Sequence, residues 1–233
     1  MKRLLAIGDI HGCFEALRTL VAFVDICKDD VVVTLGDYVD RGPNTREVIN
    51  WLVAFDRMNS LVALRGNHEI MMLNARINQG DKHRCGQCGA IETLQSYATI
   101  ADDIADLADI PDLHWQFISR LLPYYVTETH IFVHASVNPY LPMDQQIDGT
   151  LYWGRYNDKF PGHLSGKVVV CGHNSQASGL PATNGHLICI DTGASKGCWL
   201  TCLGVDSGTI WQANQDGETR RMRLGDLPIA TER

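Results

Sequence analysis

Three apolar runs in this 233-residue chain end in side chains suited to metal-assisted hydrolysis. Residues 4–7 lead into Gly8-Asp9-Ile10-His11-Gly12, and residues 31–35 into Gly36-Asp37-Tyr38-Val39-Asp40-Arg41-Gly42. Residues 61–64 lead into Arg65-Gly66-Asn67-His68-Glu69. Each run reads as a buried strand, and in an open α/β sheet ligands bind beyond the carboxyl ends of strands. Asp9 and His11 stand two apart, so on an extended strand end they would share a face and chelate one ion. Asp37 can bridge a second ion through its other oxygen. Two later runs end in His134 and in Cys171-Gly172-His173, supplying imidazoles at the same rim. Oxygen and nitrogen donors without a thiolate suit manganese, iron or zinc. Two such ions lower the pKa of a shared water and neutralise charge on a phosphoryl group in transfer. A single Gly-Asp or Gly-His at a strand end is ordinarily a turn; three on successive strands form a specific combination.

The three blocks resemble the signature of the phosphoprotein phosphatase branch of the calcineurin-like metallophosphoesterases, above all its small prokaryotic and phage members. Val133-His134-Ala135, Trp153-Gly154-Arg155, Cys171-Gly172-His173 and Asp191-Thr192-Gly193 continue the pattern in order, so the resemblance runs from Leu4 to about Leu203. It implies an α/β fold, a four-layer sandwich of two mixed β-sheets flanked by helices. It also implies that Asp9, His11 and Asp37 hold one divalent transition-metal ion, while Asp37, Asn67, His134 and His173 hold a second. Manganese is the foremost candidate, with iron or zinc as the others. His68 would be the general acid, oriented by Asp40, and Arg41, Arg155 and Asn67 would bind the phosphate. The implied reaction is hydrolysis of phosphate monoesters in a phosphorylated protein or peptide, on serine, threonine or tyrosine, by a water-derived nucleophile held between the ions.

An alternative on the same scaffold is a symmetrical dinucleoside polyphosphate hydrolase, acting for example on diadenosine tetraphosphate. Its members resemble Gly-Asp-Leu-Val-Ala-Arg-Gly followed by Gly-Asn-His-Asp. Asp40 stands here in place of that Ala and Glu69 in place of the final Asp, which favours the monoester phosphatase. A catalytically dead binding protein would lack a ligand or the acid, and none is missing.

The elements that must position these residues follow from periodicity. Strands at 4–7, 31–35 and 61–64 alternate with helices at 14–26 and about 45–55, a βαβαβ rhythm that predicts right-handed crossovers. About 89–122 reads as helical with a break at Pro111, and the Asp-rich stretch 102–112 reads as a solvated helix face. Strands are expected at 124–126, 131–134, 168–171, 187–190, 199–205 and 209–212, with Asp206-Ser207-Gly208 as a hairpin turn.

Length and 45% hydrophobic residues suit one domain over 1–233 with a sizeable core. A net charge of −7 speaks against nucleic-acid and anionic-membrane partners, which demand a basic footprint. No run is long enough to span a bilayer, and the four apolar residues before Gly8 are too few for a signal sequence. A cytoplasmic location is the expectation. The eight cysteines read as free thiols, several in apolar runs. Cys85 and Cys88, near His83, lack the second pair that a zinc site needs. His83, His114, His130, His163 and His186 have no motif around them.

Overall fold

The computed structural model describes residues 2–58, 60–77, 90–100 and 104–227. Five strands and three helices build the amino-terminal half of the site: β1 (Leu4–Ile7), α1 (Phe14–Val24), β2 (Val31–Thr34), α2 (Thr45–Met58), β3 (Ser60–Ala63), α3 (Asn67–Ile77), β4 (Tyr124–Val126) and β5 (His130–Val133). The remaining strands are β6 (Val168–Cys171), β7 (Ala182–Thr183), β8 (Leu187–Cys189), β9 (Leu200–Gly204), β10 (Thr209–Ala213) and β11 (Thr219–Arg223).

Two mixed sheets form, in the order β11-β10-β9-β1-β2-β3 and β4-β5-β6-β8-β7. In the first, β1, β2 and β3 run parallel, and β9 joins β1 antiparallel. In the second, β5, β6 and β8 run parallel. Residue alternation explains the layering. Leu5, Ile7 and Val32 point to the helices, while Ala6 and Val33 point into the space between the sheets. Phe132, Val170 and Ile188 enter that same space from the second sheet. Their neighbours Ile131, Val133, Val169 and Leu187 pack outward against Leu151, Tyr152 and Phe160. Strands covered on both faces need continuous apolar runs, which is why the period-2 signal was hidden in residues such as Val31-Val32-Val33. The result is the expected α/β sandwich, two mixed sheets flanked by helices. The hairpin across Asp206-Ser207-Gly208 joins β9 to β10 as read.

Several expectations need correction. Among its described residues, the stretch read as helical over 89–122 holds two eight-residue helices, Ala90–Tyr97 and Asp112–Ser119, with a 3-10 turn at Leu107–Asp109 between them. The described part of the acidic stretch is therefore not a helix face. Helix α3, the short helix Asp148–Trp153 and edge strand β11 were not anticipated. The pair Cys85 and Cys88, with His83, lies outside the described residues. The six described cysteines are free, four of them buried. No helix among the described residues is long and apolar enough to cross a membrane.

Candidate active site

The parallel strands of both sheets end at one edge, and the loops beyond them are stitched together by backbone bonds. The Ile10 and His11 amides both donate to the Asp37 carbonyl, at 3.1 and 2.8 Å, and the Gly172 amide donates to the His134 carbonyl at 2.7 Å. The loops turn sharply: His11, Asp37, Asp40, Arg41 and His173 all have positive φ, between 44° and 71°. For residues with a Cβ this region costs about 1–2 kcal/mol each. Among the described non-glycine residues only Asp25, at a helix end, shares it. Strain concentrated on side chains of one rim marks a place where geometry outweighs stability.

Glu69 carries much of that geometry. Its fully buried carboxylate accepts from the amides of Asp37 (2.9 Å), Tyr38 (2.7 Å), Val39 (3.3 Å) and Gly66 (2.8 Å), clamping the second loop to the third. Burial, and then the charge of Asp37, push its pKa up to about 7 while these amides pull it down. Gly66 and Gly172 matter for closeness. A Cβ on Gly66 would overlap Asp37 Oδ1, and one on Gly172 would overlap Asp9 Oδ1.

Asp37 lies at the centre. Its Oδ2 is 3.4 Å from His11 Nε2 and its Oδ1 is 3.4 Å from His134 Nε2. Two sets of donors converge on it among the described residues: His11, Asp37 and His68, and Asp37, His134 and His173. Backbone carbonyls fix the imidazoles. His11 Nδ1 donates to Val39 O at 2.8 Å, and His134 Nδ1 donates to Leu35 O at 2.8 Å. Each therefore turns an Nε2 lone pair inward, as metal-ligating histidines do. Burial lowers the pKa of His11 to about 3 and that of His173 to about 4, and lowers His134 too, so these rings are neutral.

These residues fit divalent cations. Asn67 Oδ1 lies 2.9 Å from both His134 Nε2 and His173 Nδ1, and Asp37 Oδ1 completes a ring of lone pairs around His134 Nε2, which has no proton left to share. Such an arrangement is stable only around a positive charge. On the other side the Arg41 guanidinium stands in for one, 2.8 Å from His11 Nε2 and 3.0 Å from His68 Nε2. The turn at His11 means that Asp9 and His11 do not share an extended strand end, and Asp9 lies outside the two tight sets. Both of its oxygens face the His173 amide, at 3.1 and 2.9 Å. Burial, followed by the charges of Asp191 and Asp37, drives its pKa well above the ordinary carboxylate value. Three buried carboxylates this close also call for a cation. Asp191, read from sequence only as a turn residue, belongs to that group; burial raises its pKa to about 6.

His68 differs from the other rings. Its Nδ1 is 2.7 Å from Asp40 Oδ2, and its Nε2 faces the metal-ligand side. Burial pulls its pKa down, but the Asp40 hydrogen bond and the charges of Asp37 and Asp40 outweigh that and raise it. Asp40 in turn is held at its amide and at Oδ1 by the Thr93 hydroxyl. Thr93 lies in no motif and sequence reasoning passed over it. Arg155 is exposed and makes no hydrogen bond or ion pair with another described residue, yet its charge bears on His173. The Asn174 side chain ties its loop to the rim through Gly154 O at 3.0 Å.

Comparison with known proteins agrees with this geometry. Residues 2–177 match the family described as Calcineurin-like phosphoesterase. A symmetrical bis(5'-nucleosyl)-tetraphosphatase of Chromobacterium violaceum is 38% identical over 81 residues, 34% of this chain and 28% of that protein. The protein of the same name from Methylobacillus flagellatus is 28% identical over 173 residues, 71% of this chain and 56% of its own length. The chain thus spans about half or less of these curated relatives. Among solved structures, a candidate diadenosine tetraphosphatase superposes with TM-score 0.64 at 18% identity, covering 95% of this chain and 93% of the other. A cold-active protein tyrosine phosphatase gives 0.62 at 17% identity, covering 95% and 78%. At such identities these superpositions speak to the fold alone.

Proposed function

The chain belongs to the calcineurin-like phosphoesterase family, and from there we propose that it is a dinuclear hydrolase of dinucleoside polyphosphates. The curated relatives carry this reading: three of them, matched over 137 to 173 residues, are named symmetrical bis(5'-nucleosyl)-tetraphosphatase. It reverses the preference drawn from Asp40 and Glu69 in the sequence. Glu69 spends its carboxylate on four backbone amides and so carries no information on substrate.

Bound divalent ions supply an activated water and neutralise charge on the phosphoryl group. Asp9, His11 and Asp37 would hold one, and Asp37, Asn67, His134 and His173 the other, with Asp9 also accepting from the His173 amide. Neutral, carbonyl-oriented imidazoles need no deprotonation to act as ligands. Arg41 and Arg155 offer paired N–H donors to phosphoryl oxygens. His68 holds its Nδ1 proton against Asp40 and presents Nε2 toward the reacting side, where a protonated ring would give its proton to the leaving oxygen.

That last feature favours a second reading, a phosphomonoesterase acting on phosphoproteins. A nucleotide leaves as a stable phosphate anion with little need of a proton, whereas a serine or threonine alkoxide requires one. An acid oriented at 2.7 Å by Asp40 is of most use to the latter. Steady-state kinetics with Mn²⁺ on diadenosine tetraphosphate, a phosphoserine peptide and an aryl phosphate separate the two. A kcat/KM orders of magnitude higher on the dinucleotide, with release of ADP alone, supports the first reading. A higher value on the peptide replaces it with the second.

A further inference from the structure

We propose that Thr93, on the helix Ala90–Tyr97, is a positioning residue that sets Asp40 for its work on His68. The proposal rests on the reading of His68 as proton donor. Thr93 is 3% exposed, and its hydroxyl grips Asp40 at two points. The Asp40 amide donates to Thr93 Oγ1 at 2.8 Å, and Thr93 Oγ1 donates to Asp40 Oδ1 at 2.9 Å. A third contact, Thr45 Oγ1 at 3.1 Å, completes the set. A hydroxyl has one proton and two lone pairs. With its proton on Oδ1, it must accept from both the Asp40 amide and Thr45, so every bonding direction is used and the group cannot rotate.

The consequence reaches His68. Asp40 sits at φ 70°, a conformation that a residue with a Cβ keeps only when its surroundings impose it. Holding both the amide and Oδ1 fixes the backbone and the side-chain torsions together. Oδ2 is then the one carboxylate oxygen left for His68 Nδ1, at 2.7 Å. The helix is itself anchored. One turn beyond Thr93, the Tyr97 hydroxyl lies 2.8 Å from His114 Nδ1, and His114 Nε2 lies 2.9 Å from Asn50 Oδ1 on α2. Ser96 Oγ accepts from the Arg46 amide at 3.1 Å. His114, without a motif in the sequence, thus helps brace the element that delivers Thr93.

A purely structural role for Thr93 would lower all activities together, so the test compares leaving groups. The full chain is assayed with Mn²⁺ on an alkyl phosphate, which needs a proton donor, and on an aryl phosphate, which does not, with His68→Gln as reference. Thr93→Val should lose at least about tenfold in kcat on the alkyl substrate, part of the ~10²–10⁴ that general acids contribute. KM and the aryl rate should stay near wild type, and Thr93→Ser, which keeps the hydroxyl, should restore the alkyl rate. In metal-free protein, NMR of ¹⁵N-labelled histidines should show the His68 Nδ1 proton shifted or lost to exchange in Thr93→Val and retained in Thr93→Ser. If Thr93→Val does not fold, Thr93→Ala takes its place. A split for His68→Gln with none for the Thr93 variants overturns this proposal alone. Equal losses on both substrates for His68→Gln overturn the proton-donor reading and Thr93's role with it.

Discussion

The Asp37 carboxylate rests directly against the Cα of Gly66, leaving no space for a Cβ between them. The carboxylate at the centre of the site therefore depends on the third loop approaching without a side chain. Gly66→Ala should push Asp37 off His11 and His134 and overpack a filled region, costing about 1–3 kcal/mol of stability. Metal content after purification and the midpoint of denaturant unfolding check this. Unchanged metal loading would mean that the loops give way more cheaply than the packing implies.

Asp37→Asn should be the most damaging change among the metal ligands. Its two oxygens face His134 and His11 at 3.4 Å each, and an amide offers only one oxygen. Wild-type protein should carry close to two transition-metal ions, as a dinuclear site requires. The variant should bind less than half as much, and chelation should abolish wild-type activity that Mn²⁺ restores. Elemental analysis and activity after chelation test both parts.

Arg155→Ala should lower kcat/KM on the preferred substrate by about 10²-fold, as expected for one transition-state donor. Arg155→Lys should not restore it, because a point charge cannot reproduce paired donors. The side chain does not stack on Trp153 and makes no ion pair with another described residue, so stability should barely change. Kinetics beside thermal unfolding distinguish a phosphate clamp from an idle surface residue.

Far from the site, Asp30 makes a pH-dependent contribution to stability. Its buried carboxylate accepts from Arg3 Nε at 3.0 Å and from the Cys27 amide at 2.9 Å. The Arg3 hydrogen bond, above all, holds its pKa below the usual carboxylate range. A depressed folded-state pKa adds stability above the unfolded value, about 3.9, that is lost as pH falls below it. Asp30→Asn should cost about 1.5–3 kcal/mol at pH 7, toward the lower end because Arg3 is partly exposed and solvent screens the pair. The difference from wild type should shrink as pH drops below about 4. Denaturant unfolding at several pH values measures it.

The amino-acid sequence alone was enough to locate the rim. Residues 4–7, 31–35 and 168–171 are apolar runs of strand length followed at once by Gly, Asp or His, and both signals are local. Most strand positions and the hairpin at Asp206-Ser207-Gly208 were legible for the same reason. Strand β11 was not: Thr219-Arg220-Arg221-Met222-Arg223 reads as a charged tail. Its pairing with β10, and Arg220 bonding Gln212 Oε1 at 2.6 Å while lying over Trp199, decide that it is a strand.

Tertiary structure alone decided which side chains meet. Spacing placed Asp9 and His11 on one face of an extended strand end, but a left-handed turn at His11 brings its ring to Asp37, 26 residues away in the chain, while both Asp9 oxygens face the His173 amide. Thr93 reaches Asp40 across 53 residues from a helix without a motif. Periodicity is set by neighbours along the chain and can be read there. Convergence of donors is set by loop closure between strands of two different sheets, and a polar residue's partner is determined only once those sheets have packed.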